Sequence, residues 1–152
     1  MTRPLTHLDE QGRARMVDVS GKPPMRRVAV AESRFCAQAE TLDRLMAGDL
    51  PKGEALAAAR LAGIQAAKRV DALIPLCHTL PLEHVEVTFH RGGPDWIRVE
   101  ASATVTSRTG VEMEALMAAS VAALTLWDMT KAIDTDLKIE GTRLLKKTKT
   151  PV

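Results

Sequence analysis

Residues 109–131, TGVEMEALMAASVAALTLWDMTK, decide the fold of this 152-residue chain. Between Ala115 and Trp127 only Ser120 and Thr125 are polar, so a helix here is apolar all round and is predicted to be buried on every side. The run is too short to cross a bilayer, which takes about 20 residues. Ionisable residues stand at both of its ends: Glu112 and Glu114 at the start, Asp128 and Lys131 at the finish. Charge beside a core is costly unless it is paired or used, so each end of this helix is a candidate site.

The segments around the helix read as strands and shorter helices. Before it, Val85, Val87 and Phe89 alternate with polar residues, as do Ile97, Val99, Ala101, Ala103 and Val105. The turn Arg91-Gly92-Gly93-Pro94-Asp95 joins the two runs into a hairpin. Further back, Arg26 to Ser33 reads as a strand and Glu40 to Ala47 as a helix stopped by Gly48. A second helix runs from Glu54 to about Arg69, with Leu56, Leu61 and Ile64 as its expected buried stripe. Asp71 to Leu82, DALIPLCHTLPL, is an apolar loop broken by Pro75 and Pro81. After the central helix, Leu137 and Ile139 suggest a last short strand, followed by a basic tail with Lys146, Lys147 and Lys149.

Setting one helix aside, the order is β-α-β-β-α-β. That is an α+β, ferredoxin-like antiparallel sheet with helices packed on one face and one extra helix. Residues 1–24 are polar and turn-rich and are expected to form a flexible arm, with 25–152 as a single domain ending in the basic tail.

Composition excludes several classes of function. A net charge of +2 is too small to imply nucleic-acid binding. No membrane segment or secretory leader is readable, and two cysteines, Cys36 and Cys77, make no disulfide framework, so a reducing cytoplasm is the default. Cys36, Cys77, His78, His84 and His90 lack zinc-site spacing, so no metal and no cofactor are called for. Cys77 reads first as a small buried filler. His78 is the better candidate for hydrogen bonding or proton transfer. His84 and His90 read as structural or solvated.

The candidate site residues each carry a plain structural alternative. Lys68 suits the negative end of its helix dipole, which is reason enough for it. Lys52 precedes a helix start, where a lysine and free amides can hold an anion, although a surface lysine is the commoner case. Asp18, in the brief apolar run Met16–Val19, is either a turn-former or a residue brought to a neighbour. Glu112 and Glu114 point roughly 200° apart on a helix, so only one of them faces inward. Asp128 and Lys131 are neighbours on one face. Glu114 and Asp128 lie about 21 Å apart along the axis, too far to serve one reacting atom. Two antiparallel copies about a two-fold axis would bring opposite ends together; coverage within one subunit is the alternative.

Five motifs together resemble the molybdenum cofactor biosynthesis protein C family, the cyclic pyranopterin monophosphate synthases. They are Met16–Val19, Ala62–Arg69, Leu73–His78, Thr109–Leu116 and Asp128–Lys131, and the match runs from about Leu5 to Lys146. Thr79, Trp127 and Thr130 depart from the family pattern. The resemblance implies conversion of 3′,8-cyclo-7,8-dihydro-GTP to cyclic pyranopterin monophosphate with loss of pyrophosphate. It also implies a homo-oligomer, a hexamer built as a trimer of dimers, with sites at dimer interfaces. It implies Asp128, Lys131 and Lys52 as catalytic residues, and Leu76, Cys77, His78, Glu112, Met113, Glu114, Lys68, Lys147 and Asp18 as substrate-binding. Two other classes stand beside it: an oligomeric nucleotide-binding scaffold without turnover, and a thiol or metal enzyme built on Cys77 and His78.

Overall fold

A computed structural model describes residues 5–152. The chain runs β1 (Met25–Cys36), α1 (Ala39–Met46), α2 (Ala55–Ala67), α3 (Val70–Leu73), β2 (His84–Gly93), β3 (Trp96–Ser107), α4 (Glu112–Thr130) and β4 (Lys138–Pro151). The four strands form one antiparallel sheet in the order β2-β3-β1-β4. The fold is therefore α+β, with an open four-stranded sheet and four helices.

The alternation in β3 is realised in full: Ile97, Val99, Ala101, Ala103 and Val105 are all completely buried. With Ala29, Ala31 and Phe35 of β1 they make the floor on which α4 rests. The helix meets that floor and α2 through small residues. Ala115, Ala118, Ala119, Ala122 and Ala123 of α4 are buried, as are Ala55, Ala59, Gly63, Ala66 and Ala67 of α2. Gly63 marks the tightest point. A Cβ placed there would lie 2.9 Å from the carbonyl oxygen of Ala118, 3.1 Å from Val87 Cγ2 and 3.3 Å from Ala122 Cβ.

This packing corrects the expected stripe on α2. Leu61 is 58% exposed and Leu56 and Ile64 are half-buried, because contact at this separation selects alanine and glycine over leucine. The central helix is not covered on every side either: Leu124 is 57% exposed and Trp127 37%. One apolar face of α4 stays open in the single chain.

Three boundaries also differ from those expected of the sequence. β1 continues through Phe35, which is fully buried, to Cys36. The first residues of the apolar loop form a single turn, α3, ahead of Pro75. The basic tail is not a tail. It is the body of β4, fourteen residues paired to β1 from Met25↔Pro151 to Cys36↔Lys138. Lysine-rich sequence hides its strand character, since β1 supplies the ladder and the lysines blunt an exposed edge. The ladder slips twice, and Gly141 at φ +65° supplies the left-handed residue that such a bulge needs.

Residues 5–24 are largely exposed and hold a bridge between Leu8 and Ala14. Two contacts tie this arm to the body. Arg108 Nε donates to the carbonyl of Lys22 at 3.0 Å, and His78 bonds the carbonyl of Val17. No helix among the described residues is long and apolar enough to cross a membrane.

Candidate active site

The start of α4 and the apolar loop enclose a cavity of about 390 Å³. Leu76, Cys77 and His78 line it from the loop, and Glu112, Met113 and Glu114 from the first turn of the helix. Val17 and Val19 line it from the arm. The prolines that forbid helix and strand in 74–83 are what leave this loop free to cross the end of α4. Val111 caps the helix without a side-chain hydrogen bond of its own.

Of the two glutamates, Glu114 is the buried one, at 4% exposure, and Glu112 is half-buried. Burial, and then the like charges of Glu112 and Asp71, push the Glu114 carboxyl up to about 7. Glu112 is also pushed up by burial, but Lys147 Nζ at 2.9 Å from its Oε1 and the charge of Arg27 outweigh this and hold it below its usual range. Burial, and the negative charge of Glu114, push the Cys77 thiol up. A thiol so placed is protonated near neutrality, which suits a pocket wall better than a nucleophile. His78 Nε2 lies 2.7 Å from the Val17 carbonyl. A carbonyl can only accept, so Nε2 carries the proton, and in the neutral ring Nδ1 is left as the acceptor.

The raised Glu114 carboxyl has a consequence for stability. The folded chain retains a proton that the unfolded chain releases near pH 4.5, so stability falls as pH rises from about 4.5 to about 7 and levels off above. Thermal unfolding of wild type and Glu114→Gln from pH 4 to about 9.5, which spans the window and the plateau above it, measures this. The difference in Tm between the two should change through that window and stay constant above pH 8; a difference independent of pH would show that Glu114 is not held protonated.

At the other end of α4, Asp128 lies between two ammonium groups. Lys131 Nζ is 2.8 Å from its Oδ1 and Lys52 Nζ is 3.2 Å from its Oδ2. Lys131 first, and then Lys52, hold the Asp128 carboxyl below its usual range. Lys131 comes from the same helix three residues on, whereas Lys52 comes from the turn between α1 and α2. Folding thus brings together two residues 76 apart in sequence. All three side chains are well exposed, so neither lysine is there to stabilise a buried charge.

The chain therefore gathers the candidate residues into two groups. Six line the cavity at the start of α4, and Lys147 joins them through Glu112. Lys52, Asp128 and Lys131 form the second group, fourteen helical residues from Glu114 (128 − 114), or about 21 Å. Two candidates fall outside both groups. Lys68, the C-cap of α2, lines a neighbouring cleft with Glu83 and His84. Asp18 accepts the amide of Ser20 at 2.9 Å as a turn-former, although Val17 and Val19 on either side of it face the cavity. His84 and His90 are exposed, as expected.

Several residues of the site escape a reading of the sequence. Lys22 and His7 of the arm line the main cavity; the run Met16–Val19 in an otherwise polar arm is the available sign. Arg27 and Lys149 line a second cavity next to it; Lys149 is marked only as a member of the basic run, and Arg27 by nothing in its local sequence. Among the described residues no group of three His, Cys, Asp or Glu is arranged to hold a metal ion.

Residues 16–150 match the model of the MoaC family. The chain is similar to a cyclic pyranopterin monophosphate synthase of Roseiflexus sp. (strain RS-1), 55% identical over 144 residues, or 94% of this chain and 91% of that one. It is 51% identical over 144 residues to the protein of that name from Desulfitobacterium hafniense, covering 95% of this chain and 88% of the relative. It is 54% identical over 145 residues to that of Herpetosiphon aurantiacus, with the same coverage.

Proposed function

The chain belongs to the MoaC family, and on that footing we propose that it converts 3′,8-cyclo-7,8-dihydro-GTP to cyclic pyranopterin monophosphate and pyrophosphate in molybdenum cofactor biosynthesis. The observation that most supports it is similarity along nearly the whole chain to synthases of that name, combined with Lys52, Asp128 and Lys131 meeting at one point. The reaction forms one phosphorus–oxygen bond at the α-phosphorus and breaks another. The attacking hydroxyl loses a proton and the departing pyrophosphate takes up negative charge. Two ammonium groups stabilise that charge where it develops, which is the largest kind of contribution a site of this type makes. Asp128, held ionised by both lysines, serves as proton acceptor and as the group that aims them. Glu112, Glu114 and the Met113 backbone take the guanine-like edge of the substrate, and Leu76, Cys77 and His78 form the opposite wall. A protonated Glu114 adds a donor to that edge.

The reading extends to assembly. The two groups of residues belong to different pockets, each completed by a second copy packed antiparallel on the open face of α4. Exposed Leu124 and Trp127 on that face support this. Such dimers assemble as a hexamer, a trimer of dimers, in the cytoplasm, acting on a small molecule with no nucleic-acid partner. Residues 25–152 serve as the single catalytic domain. We read its sheet as ferredoxin-like: with α1 and α3 set aside the order is β-α-β-β-α-β, and the strand order β2-β3-β1-β4 supports it.

The test supplies the cyclised nucleotide and follows pyrophosphate and pterin in wild type and Asp128→Asn, with gel filtration of the same preparations. Wild type should release both products from a species larger than a monomer, and Asp128→Asn should lose turnover by about a hundredfold or more. Binding without pyrophosphate release would favour a nucleotide-binding scaffold; full activity from a stable monomer would overturn the shared pockets.

A further inference from the structure

We propose that Asp134, a buried residue outside both groups of the site, is a positioning residue that sets Lys52 on Asp128 by anchoring the start of α1 to the end of α4. Asp134 is 4% exposed, and its three hydrogen-bond partners are all neutral donors. Its Oδ2 accepts the backbone amide of Gln38 at 2.9 Å and the Thr41 hydroxyl at 2.8 Å, and its Oδ1 accepts the amide of Asp136 at 2.8 Å. Gln38, the N-cap of α1, makes no side-chain hydrogen bond of its own, so the cap comes from a residue 96 positions away. Burial pushes the Asp134 carboxyl up, but the Gln38 amide, the Thr41 hydroxyl and the Asp136 amide outweigh it and hold it below its usual range. A carboxylate buried without a cation is costly, and the bonds that offset the cost join two ends of the chain that the site needs together.

Each side of that join leads to the site. On one side Asp134 follows directly from α4: its amide and that of Ile133 donate to the Thr130 carbonyl at 3.2 and 3.0 Å, which fixes it three residues beyond Lys131. On the other side α1 runs for eight residues, about 12 Å, and is seated by the fully buried Leu42 and Leu45. The chain then reverses at Gly48, whose φ is +72°. The amide of Asp49 donates back to the Arg44 carbonyl at 2.9 Å and Leu50 is buried, so the turn that carries Lys52 moves as one piece with α1. Lys52 closes the circuit by reaching Asp128 at 3.2 Å. Lys131 needs no such circuit, because it lies on the helix of Asp128, three residues on, and meets it at 2.8 Å. Asp134 therefore governs one lysine of the pair and not the other, which sets positioning apart from general support of the fold.

The inference rests on the proposed part of Lys52 in the reaction, and its first test needs no turnover. NMR titration of the Asp128 carboxyl in the full chain, without substrate, compares wild type, Lys52→Ala, Asp134→Ala and the double variant. Lys52→Ala should move the Asp128 titration up toward the ordinary carboxylate range, since one of the two ammonium groups that hold it down is gone. Asp134→Ala should move it the same way, and the double variant should move it no further than Lys52→Ala alone. Asp134→Asn, whose carbonyl oxygen still accepts from Gln38 and Thr41, should titrate close to wild type. Where Asp134→Ala fails to fold, Thr41→Val, which removes one bond of the anchor, should give a smaller shift of the same sign. An Asp128 titration that stays at its wild-type position in these variants, with only Tm lowered, overturns the proposal. So does a shift in the double variant beyond that of Lys52→Ala.

Turnover of the cyclised nucleotide completes the test. Asp134→Ala should lower kcat by about ten- to a hundredfold, and should lower it no further in the Lys52→Ala background. A moved titration with unchanged kcat supports Asp134 as the positioning residue and removes Lys52 from the reaction, so failure of the anchor and failure of the proposed reaction are told apart.

Discussion

Replacing Lys131 by alanine should reduce pyrophosphate release from the cyclised nucleotide by about two to three orders of magnitude, and Lys52→Ala should do the same. Each substitution removes one of the two ammonium groups on Asp128 and leaves the other. If the lysines served only to pair Asp128, either one would suffice and the losses would be small. If each contacts charge that develops during departure of pyrophosphate, the losses are large and singly complete. Stability separates this from unfolding. All three side chains are well exposed and ion pairs of that kind contribute about 0–1 kcal/mol, so circular dichroism and Tm should stay close to wild type. Turnover at the wild-type rate in either variant would remove that lysine from the reaction.

The second large effect is on the fold. Gly63→Val should destabilise the chain by about 3 kcal/mol or more, and Gly63→Ala by about 1–3 kcal/mol, read from denaturant unfolding. The reason is that the nearest atom to a new Cβ is the backbone carbonyl oxygen of Ala118, at 2.9 Å, which cannot rotate aside as a side chain would. Relief requires α4 to move off α2 along its length. Because that shift would carry Glu114 and Asp128 with it, activity should fall further than the population of folded protein does. Wild-type stability in Gly63→Ala would mean the two helices are less closely engaged than this packing has them.

The parts legible in the sequence are those written in a single local pattern. β3 is readable because five inward residues alternate without a break, and α4 because its apolar run has ionisable residues at both ends. Of the cavity wall, the residues alone mark an apolar loop with two prolines and His78 as its candidate worker; Leu76 and Cys77 enter only through the family resemblance. What escapes depends on a partner distant in the chain. Lys146, Lys147 and Lys149 look like a solvated run until β1 is laid beside them, and Arg27 means little until register sets it against Lys149. Leu61 looks like core because leucine in a helix usually is, yet the neighbour at that crossing approaches too closely for anything larger than alanine. Glu32 is 3% exposed and bridges Arg98 and Arg143, at 2.9 and 2.8 Å, a cluster that no spacing in the sequence foretells.

The alanine seam between α2 and α4 has a mechanical consequence. Interiors packed without voids deform little under load. A helix seated on small side chains over most of its length, with a neighbouring backbone almost in contact, has no slack in which to tilt. It acts as a ruler. The span from Glu114 to Asp128 is then a constant of the molecule, unaffected by whatever occupies either end. A ligand that fits poorly must be accommodated by the arm, by the 74–83 loop or by the swing of a lysine. Tolerance for altered substrates is set by those movable parts alone.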